Sequence, residues 1–210
     1  MNYFANLLKE YFKRNIFQYI FLSVILIIGI IIGSVTVNFI SDVQAANIQS
    51  FINGFLANVN STAVDYSSVF YLSMSNNMKT AALLILLGLS IIGIPFILGV
   101  IWFRGFVLGF TVAFLIEELG AKGIILSILS IFPQNLIILP CIISIGVTGM
   151  TFAITVIKNR IKNYRESYSQ MIGGYILLNL LFSCLLVISG LIEGYISPIF
   201  IKLFSNYFSL

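Results

Sequence analysis

Glu117 and Glu118 stand side by side, with Lys122 following as Glu117-Glu118-x3-Lys122, inside a stretch that is otherwise nearly all apolar. Two neighbouring carboxylates and a cation are the raw material of a water-activating site, one group acting as base while the others hold it and its charge in place. The surrounding run from Phe103 to Pro140 is almost wholly apolar, yet it also holds Arg104 and the interruption Pro133-Gln134-Asn135. A charge at the centre of a bilayer costs about 2.5–3.5 kcal/mol on insertion scales. Such groups therefore persist at a membrane boundary, inside a bundle, or beside a water-lined cavity.

The chemistry these residues suggest is incomplete. No histidine occurs anywhere, which removes the usual general base, proton shuttle and metal ligand together. Paired-glutamate intramembrane proteases of the CAAX type complete their site with histidines and an arginine, whereas here a lysine follows the pair. Aspartyl intramembrane proteolysis needs two aspartates within the bilayer, and here Asp42 and Asp65 fall in a polar loop or at its edge. Serine–histidine and HExxH zinc chemistry fail for want of histidine, and no phosphate-cradling or dinucleotide glycine pattern is present. Cys141 and Cys184 lie in apolar runs without ligand spacing and read as packing residues. The chain is therefore expected to be no enzyme, to use no cofactor or metal, and to bind no nucleic acid. Glu117 and Glu118 then read as a helix end at the membrane surface.

The elements that would hold these residues follow from composition. Of 210 residues, 60% are hydrophobic and 9% are charged, and mean hydropathy is +1.08. Soluble domains carry roughly 25% charged residues, so the fold class is an all-α polytopic membrane bundle in one domain. Residues 1–15 have helical spacing and carry Lys9, Lys13 and Arg14, as expected of an interfacial helix lying on cytoplasmic headgroups. Residues 16–40 form the first span, too long for a secretory signal, with Gly29 and Gly33 as a close-packing pair. Residues 41–77 hold two aspartates and no basic residue, which places this loop outside under the positive-inside rule. Within it Ile48, Phe51, Ile52, Phe55, Leu56 and Val59 share one helical face, a candidate docking surface for a partner.

A second span is expected over 78–102, opened by Asn76-Asn77 and kinked near Gly93 by Pro95. The third, 105–119, carries Gly105 and Gly109 one turn apart, with Arg104 at the inner edge and Glu117–Glu118 at the outer edge. Residues 123–132 are too few to cross at about 1.5 Å per residue. They are expected to form a re-entrant or interfacial half-helix ended by Pro133, Gln134 and Asn135. Spans follow at 133–157 and 169–192, separated by the cytoplasmic cluster Lys158, Arg160, Lys162 and Arg165. Residues 193–210 form an aromatic outer tail. The expectation is five spans, N-terminus in and C-terminus out. A transport permease or permease subunit is the alternative, since broken helices with embedded polar groups mark transporter sites, although no inverted repeat is visible.

The ordered set of signals, from the basic N-terminus through Gly88, Gly93, Arg104-Gly105-x3-Gly109 and Phe132-Pro133-Gln134-Asn135-x4-Pro140, resembles the stage II sporulation protein M family along essentially the whole chain. Where the wider family often has Pro-His-Gly and a following glutamate, this chain has Pro133-Gln134-Asn135 and Ile138, with nothing that titrates. The resemblance implies a membrane protein of the mother cell, needed for septal thinning and engulfment of the forespore. It implies a non-enzymatic scaffold that holds two cell-wall hydrolases, stage II sporulation proteins P and D. The glycine pairs Gly29/Gly33 and Gly105/Gly109 are then a candidate seat for a partner's membrane anchor.

Overall fold

The computed structural model describes residues 2–41, 43, 46–50, 54, 66–162 and 168–208. These contain no strand. Among the described residues, eight α-helices with described bounds follow one another: α1 (Asn2–Arg14), α2 (Ile16–Thr36, extended by a 3-10 turn to Phe39), α3 (Tyr66–Gly88), α4 (Gly93–Leu119), α5 (Ala121–Ser130), α6 (Phe132–Lys162), α7 (Tyr168–Leu191) and α8 (Ser197–Phe208). A π turn over Ile192–Ile196 joins α7 to α8, so the two form one long rod.

The all-α membrane bundle is present, but it is divided differently from the expectation. Among the described residues, four segments are long and apolar enough to cross a membrane by length and composition: Ile16–Phe39, Gly93–Leu119, Phe132–Asn159 and Met171–Lys202. The expected span 78–102 is not one helix. The chain turns at Leu89–Ile92, where Ser90 N–H bonds the Leu87 carbonyl and Gly93 N–H bonds that of Ser90. Pro95 is the reason: it falls in the first turn of α4, where backbone N–H groups have no intrahelical acceptor, so its missing donor starts a helix instead of kinking one. Asn76 and Asn77, expected to open a span, lie well inside α3, and Arg104, expected at a helix edge, lies well inside α4. The tail expected on the outer surface from residue 193 continues α7 through the π turn, and the apolar segment runs on to Lys202.

Glycine contacts fix the helix directions. A Cβ on Gly29 would stand 2.2 Å from the Trp102 carbonyl oxygen, and one on Gly33 would stand 2.1 Å from that of Phe106. Conversely, Gly105 lies under the Leu26 carbonyl and Gly109 under that of Ile30, at 2.3 and 2.1 Å by the same measure. Rising numbers meet rising numbers, so α2 and α4 are parallel. Their glycine pairs are spent on each other, which removes that face as the seat for a partner's anchor. Antiparallel to both runs α6, whose Gly146 packs under Leu22, Ile97 and Ile101 and whose Thr151 bonds Gln18. The most apolar window of α6 is 61% buried against 22–33% for the other three, which makes it the central helix. Its neighbours supply the core: Leu22 and Leu26, Ala81 and Leu84, Ile97 and Ile101, and Phe182 and Leu186.

The expected half-helix corresponds to α5. Gly120, with φ of +56°, reverses the chain after α4. Gly123 lets α5 settle against the Leu115 carbonyl, and Leu115, Leu126 and Ile201 pack together where α8 closes over it. Pro133 breaks the path into α6. There the Gln134 and Asn135 amides donate to the carbonyls of Ser130 (2.6 Å) and Ile131 (2.8 Å), satisfying backbone acceptors at the break.

Candidate functional site

Depth is set by α2, where no Asp, Glu, Lys or Arg occurs from Ile16 to Ser41. Arg104 lies beside Gly105, and the Cβ position of Gly105 abuts Leu26. Arg104 thus stands at the level of the middle of α2, a segment long and apolar enough to cross a membrane. Such a residue must find partners within the protein, and α3 provides them. Because the chain turns back at Leu89–Ile92, Asn77 and Arg104 are equally far from the turn (77 to 88 and 93 to 104) and meet across the hairpin. Nη2 of Arg104 donates to the Asn76 carbonyl (3.4 Å), to Asn77 Oδ1 (3.5 Å) and to Thr80 Oγ1.

The network continues away from α4. Asn77 Nδ2 donates to Ser73 Oγ at 3.4 Å, and the Ser73 hydroxyl donates to Glu193 Oε2 at 2.5 Å. Ser73 and Asn77 are buried, one turn apart on the same face of α3. Glu193 reaches them because the π turn carries it there and because Gly194 lets the rod close onto Phe70, its Cβ position lying 2.6 Å from Phe70 Cβ. Tyr66 and Tyr195 stack above at 6.1 Å. π turns within helices are frequent at functional sites. Here the turn delivers a carboxylate to a cation across two neutral side chains, and the opposite charges offset one another in a medium that solvates neither. The expectation had put Arg104 and Glu193 at opposite membrane surfaces; the structure puts them in one network.

The other expected residues lie elsewhere. Glu117 is exposed and Glu118 half-buried in the last turn of α4, before Gly120, at the opposite end of the bundle from α1. Ile48 is half-buried and lines a shallow cavity with Ile40, Asn47 and Phe110. Phe51, Ile52, Phe55, Leu56 and Val59 lie outside the described residues. Cys141 is buried and Cys184 exposed, both as free thiols. Among the described residues no group of three metal-ligating side chains occurs.

A second polar set closes the end of the bundle where α1 meets α6. Thr151 Oγ1 donates to Gln18 Oε1 (2.6 Å) and Asn15 Oδ1 (3.2 Å), and Tyr11 donates to Thr148 Oγ1 (3.4 Å). Burial pushes the Tyr11 phenol up, against the pull of Thr148, Thr151 and Arg14, so it stays a neutral donor. A cavity of about 420 Å³ opens beside it, lined by Arg14, Thr155, Phe152 and Tyr175 among others. The basic residues of α1 and the C-terminal basic residues of α6 therefore gather at one end.

The Ser73 hydroxyl gives its hydrogen to the Glu193 carboxylate, and no imidazole stands beside either, because the chain contains no histidine. Arginine accepts no proton at physiological pH, and Glu193 is already engaged by Ser73. The sequence signal for the main network was the run Ser73, Asn77, Thr80 at helical spacing within a segment flanked by apolar turns; the partnership with Glu193 had no local signal.

The model of the family described as stage II sporulation protein M matches residues 22–198. That range takes in the α2–α4 glycine seam, the Arg104–Glu193 network and the whole of α6, and leaves out α1. No curated protein and no solved structure matches the chain. With most of its length, and every helix that builds the buried polar network, inside the match, the chain belongs to the stage II sporulation protein M family.

Proposed function

We propose that this protein is a non-enzymatic membrane scaffold that recruits and anchors cell-wall hydrolases, stage II sporulation proteins P and D, for septal thinning and forespore engulfment. Membership of the family supports a sporulation role in the membrane. The observation that carries the scaffold reading is the use of Arg104 and Glu193: these two charges are engaged in holding α3, α4 and the α7–α8 rod together through Asn76, Asn77, Thr80 and Ser73. Gathering the basic residues of α1 and of the end of α6 at one end of the bundle favours that end as the cytoplasmic one. The end of the bundle that holds Phe39, Tyr66 and Glu117–Glu118 then faces the peptidoglycan, on the engulfing membrane of the mother cell.

The test is recovery of partners with the tagged full-length protein from detergent-solubilised membranes of the sporulating host. The expected result is co-purification of both hydrolases, lost in Phe51→Asp and Phe55→Asp although these variants still insert. Recovery of an ATPase or a solute-binding protein with no hydrolase overturns the reading. One observation favours a permease as second reading, namely a charge pair at bilayer depth beside a π turn. Solute flux in proteoliposomes that collapses in Arg104→Met would select it.

A further inference from the structure

The network accounts for one side of α3, and the opposite side carries a charge that nothing among the described residues covers. Ser73, Asn77, Ala81, Leu84 and Gly88 are buried. Diametrically across the helix, at 100° per residue, lie Leu72, Ser75, Lys79, Ala82 and Leu86, all exposed. Leu72 and Leu86 are 65% and 66% exposed, and Leu83 beside them 47%. Their spacing, 72, 75, 79, 82, 86, is that of a heptad seam, with small residues at 75 and 82 that let a second helix approach.

Lys79 stands at the middle of this seam. It lies between Asn76 and Thr80, the residues that Arg104 reaches, so its backbone shares the depth of Arg104. Roughly 13 Å of helix separates it from the end of α3 at Gly88. Among the described residues no carboxylate pairs with it, and the nearest embedded one, Glu193, is bonded to Ser73 on the far side of the helix. The exposed faces of α2, by contrast, are apolar throughout and suit lipid: Phe17, Ile20, Val24, Ile27, Ile31 and Val35. A lone ammonium on a lipid-facing surface at this depth is unfavourable, and it becomes favourable against a carboxylate on a packed helix.

The geometry points to the Leu72–Leu86 seam of α3 as the docking face for a partner's transmembrane helix that carries an aspartate or glutamate at mid-bilayer depth, with Lys79 as its counter-charge and register pin. A second copy docked on the same face by a two-fold axis would oppose Lys79 to Lys79, so charge complementarity selects a different chain. This inference deepens the scaffold reading and rests on it, by naming the face through which an anchored partner is held.

The test places a photo-crosslinking benzoylphenylalanine in place of Leu83 in the tagged full-length protein, in sporulating host membranes, and maps the adduct by mass spectrometry. The expected adduct joins a membrane helix with an acidic residue within one turn of the crosslinked position. Lys79→Met lowers its yield about three- to thirty-fold, the range of an interhelical polar contact in a membrane, whereas Lys79→Arg retains it. Because Lys79 is exposed, both variants extract and melt as wild type. An adduct only with a second copy, only with lipid, or with a helix lacking a carboxylate overturns the proposal, as does an undiminished yield in Lys79→Met. If the hydrolases co-purify equally with wild type and Lys79→Met, the seam is refuted and the scaffold reading stands. If an acidic helix of a protein that is no hydrolase is crosslinked in a Lys79-dependent way, the seam stands and the scaffold reading falls.

Discussion

The side of α4 that meets α2 and the side that meets α3 lie at the same depth and are held by different forces. Towards α2, Gly105 and Gly109 bring backbone against backbone, and the one side-chain hydrogen bond across this seam is from Ser34 to the Gly109 carbonyl at 3.2 Å. Towards α3, Arg104 spans the gap with its guanidinium and holds three oxygens of two turns. In lipid there is no hydrophobic drive between helices, so association rests on van der Waals fit or on polar groups that have nowhere else to go. The first seam needs only the absence of side chains. The second needs particular partners, and it specifies which turn of α3 faces which turn of α4.

The contrast can be broken most forcefully at the glycines. Gly29→Leu and Gly105→Leu each drive a side chain into backbone that cannot yield, so the expected cost exceeds about 3 kcal/mol. Loss of the monodisperse detergent-extracted protein on size-exclusion chromatography would register it. Gly99→Leu, with open space around its Cβ position, is the control and should behave as wild type. If Gly105→Leu also folds, the seam is not tight. Next comes Arg104→Met, expected to cost about 1–3 kcal/mol by leaving Glu193 and the α3 acceptors without their cation. Combined with Glu193→Gln, the loss should be smaller than the sum of the two in unfolding by mixed micelles. Strict additivity would mean that the network does not couple them. Ser73→Ala, which removes the hydroxyl that links Asn77 to Glu193, should cost about 0.6–1.7 kcal/mol. Ser34→Ala on the glycine seam is expected to be the mildest, below about 0.6 kcal/mol, and a larger effect would show that the α2 side also depends on polar contact.

How far the sequence reveals this arrangement depends on the range over which each signal acts. α2 and α6 are legible because an apolar run, once long enough, has few alternatives, and the basic flank of α6 marks its end. The glycine pairs are legible as small-xxx-small patterns, though not which pair meets which. The division between α3 and α4 is where the reading goes wrong. Polar residues from Ser73 to Thr80 look like the last part of a loop when hydropathy is averaged, since averaging discards the helical spacing that puts Ser73 and Asn77 on one buried face. Pro95 looks like a kink because the turn before it is made by Leu89, Ser90, Ile91 and Ile92, of which only Ser90 resembles a turn residue. Glu193 and Arg104 are separated by 89 positions (193 − 104), and only the packing of the α7–α8 rod against α3 makes them neighbours.

The short turn at Leu89–Ile92 also bears on how the protein is made. A nascent chain presents α3 to the insertion machinery first, and α3 with Asn76, Asn77 and Lys79 at its middle is a poor candidate to partition into lipid by itself. Arg104 arrives later and would be equally unwelcome alone. With only four residues between them, the two helices emerge nearly together and can enter as a closed hairpin in which each supplies what the other lacks. Chains released after Gly88 should therefore leave α3 on the side where it was synthesised or peripheral to the bilayer, whereas chains released after Leu119 should carry both helices into the membrane. Protease accessibility of the two nested products reads the difference, and insertion of the shorter product would show that α3 needs no companion. Assembly order, and not only the final fold, is in this sense written into the distance between Asn77 and Arg104.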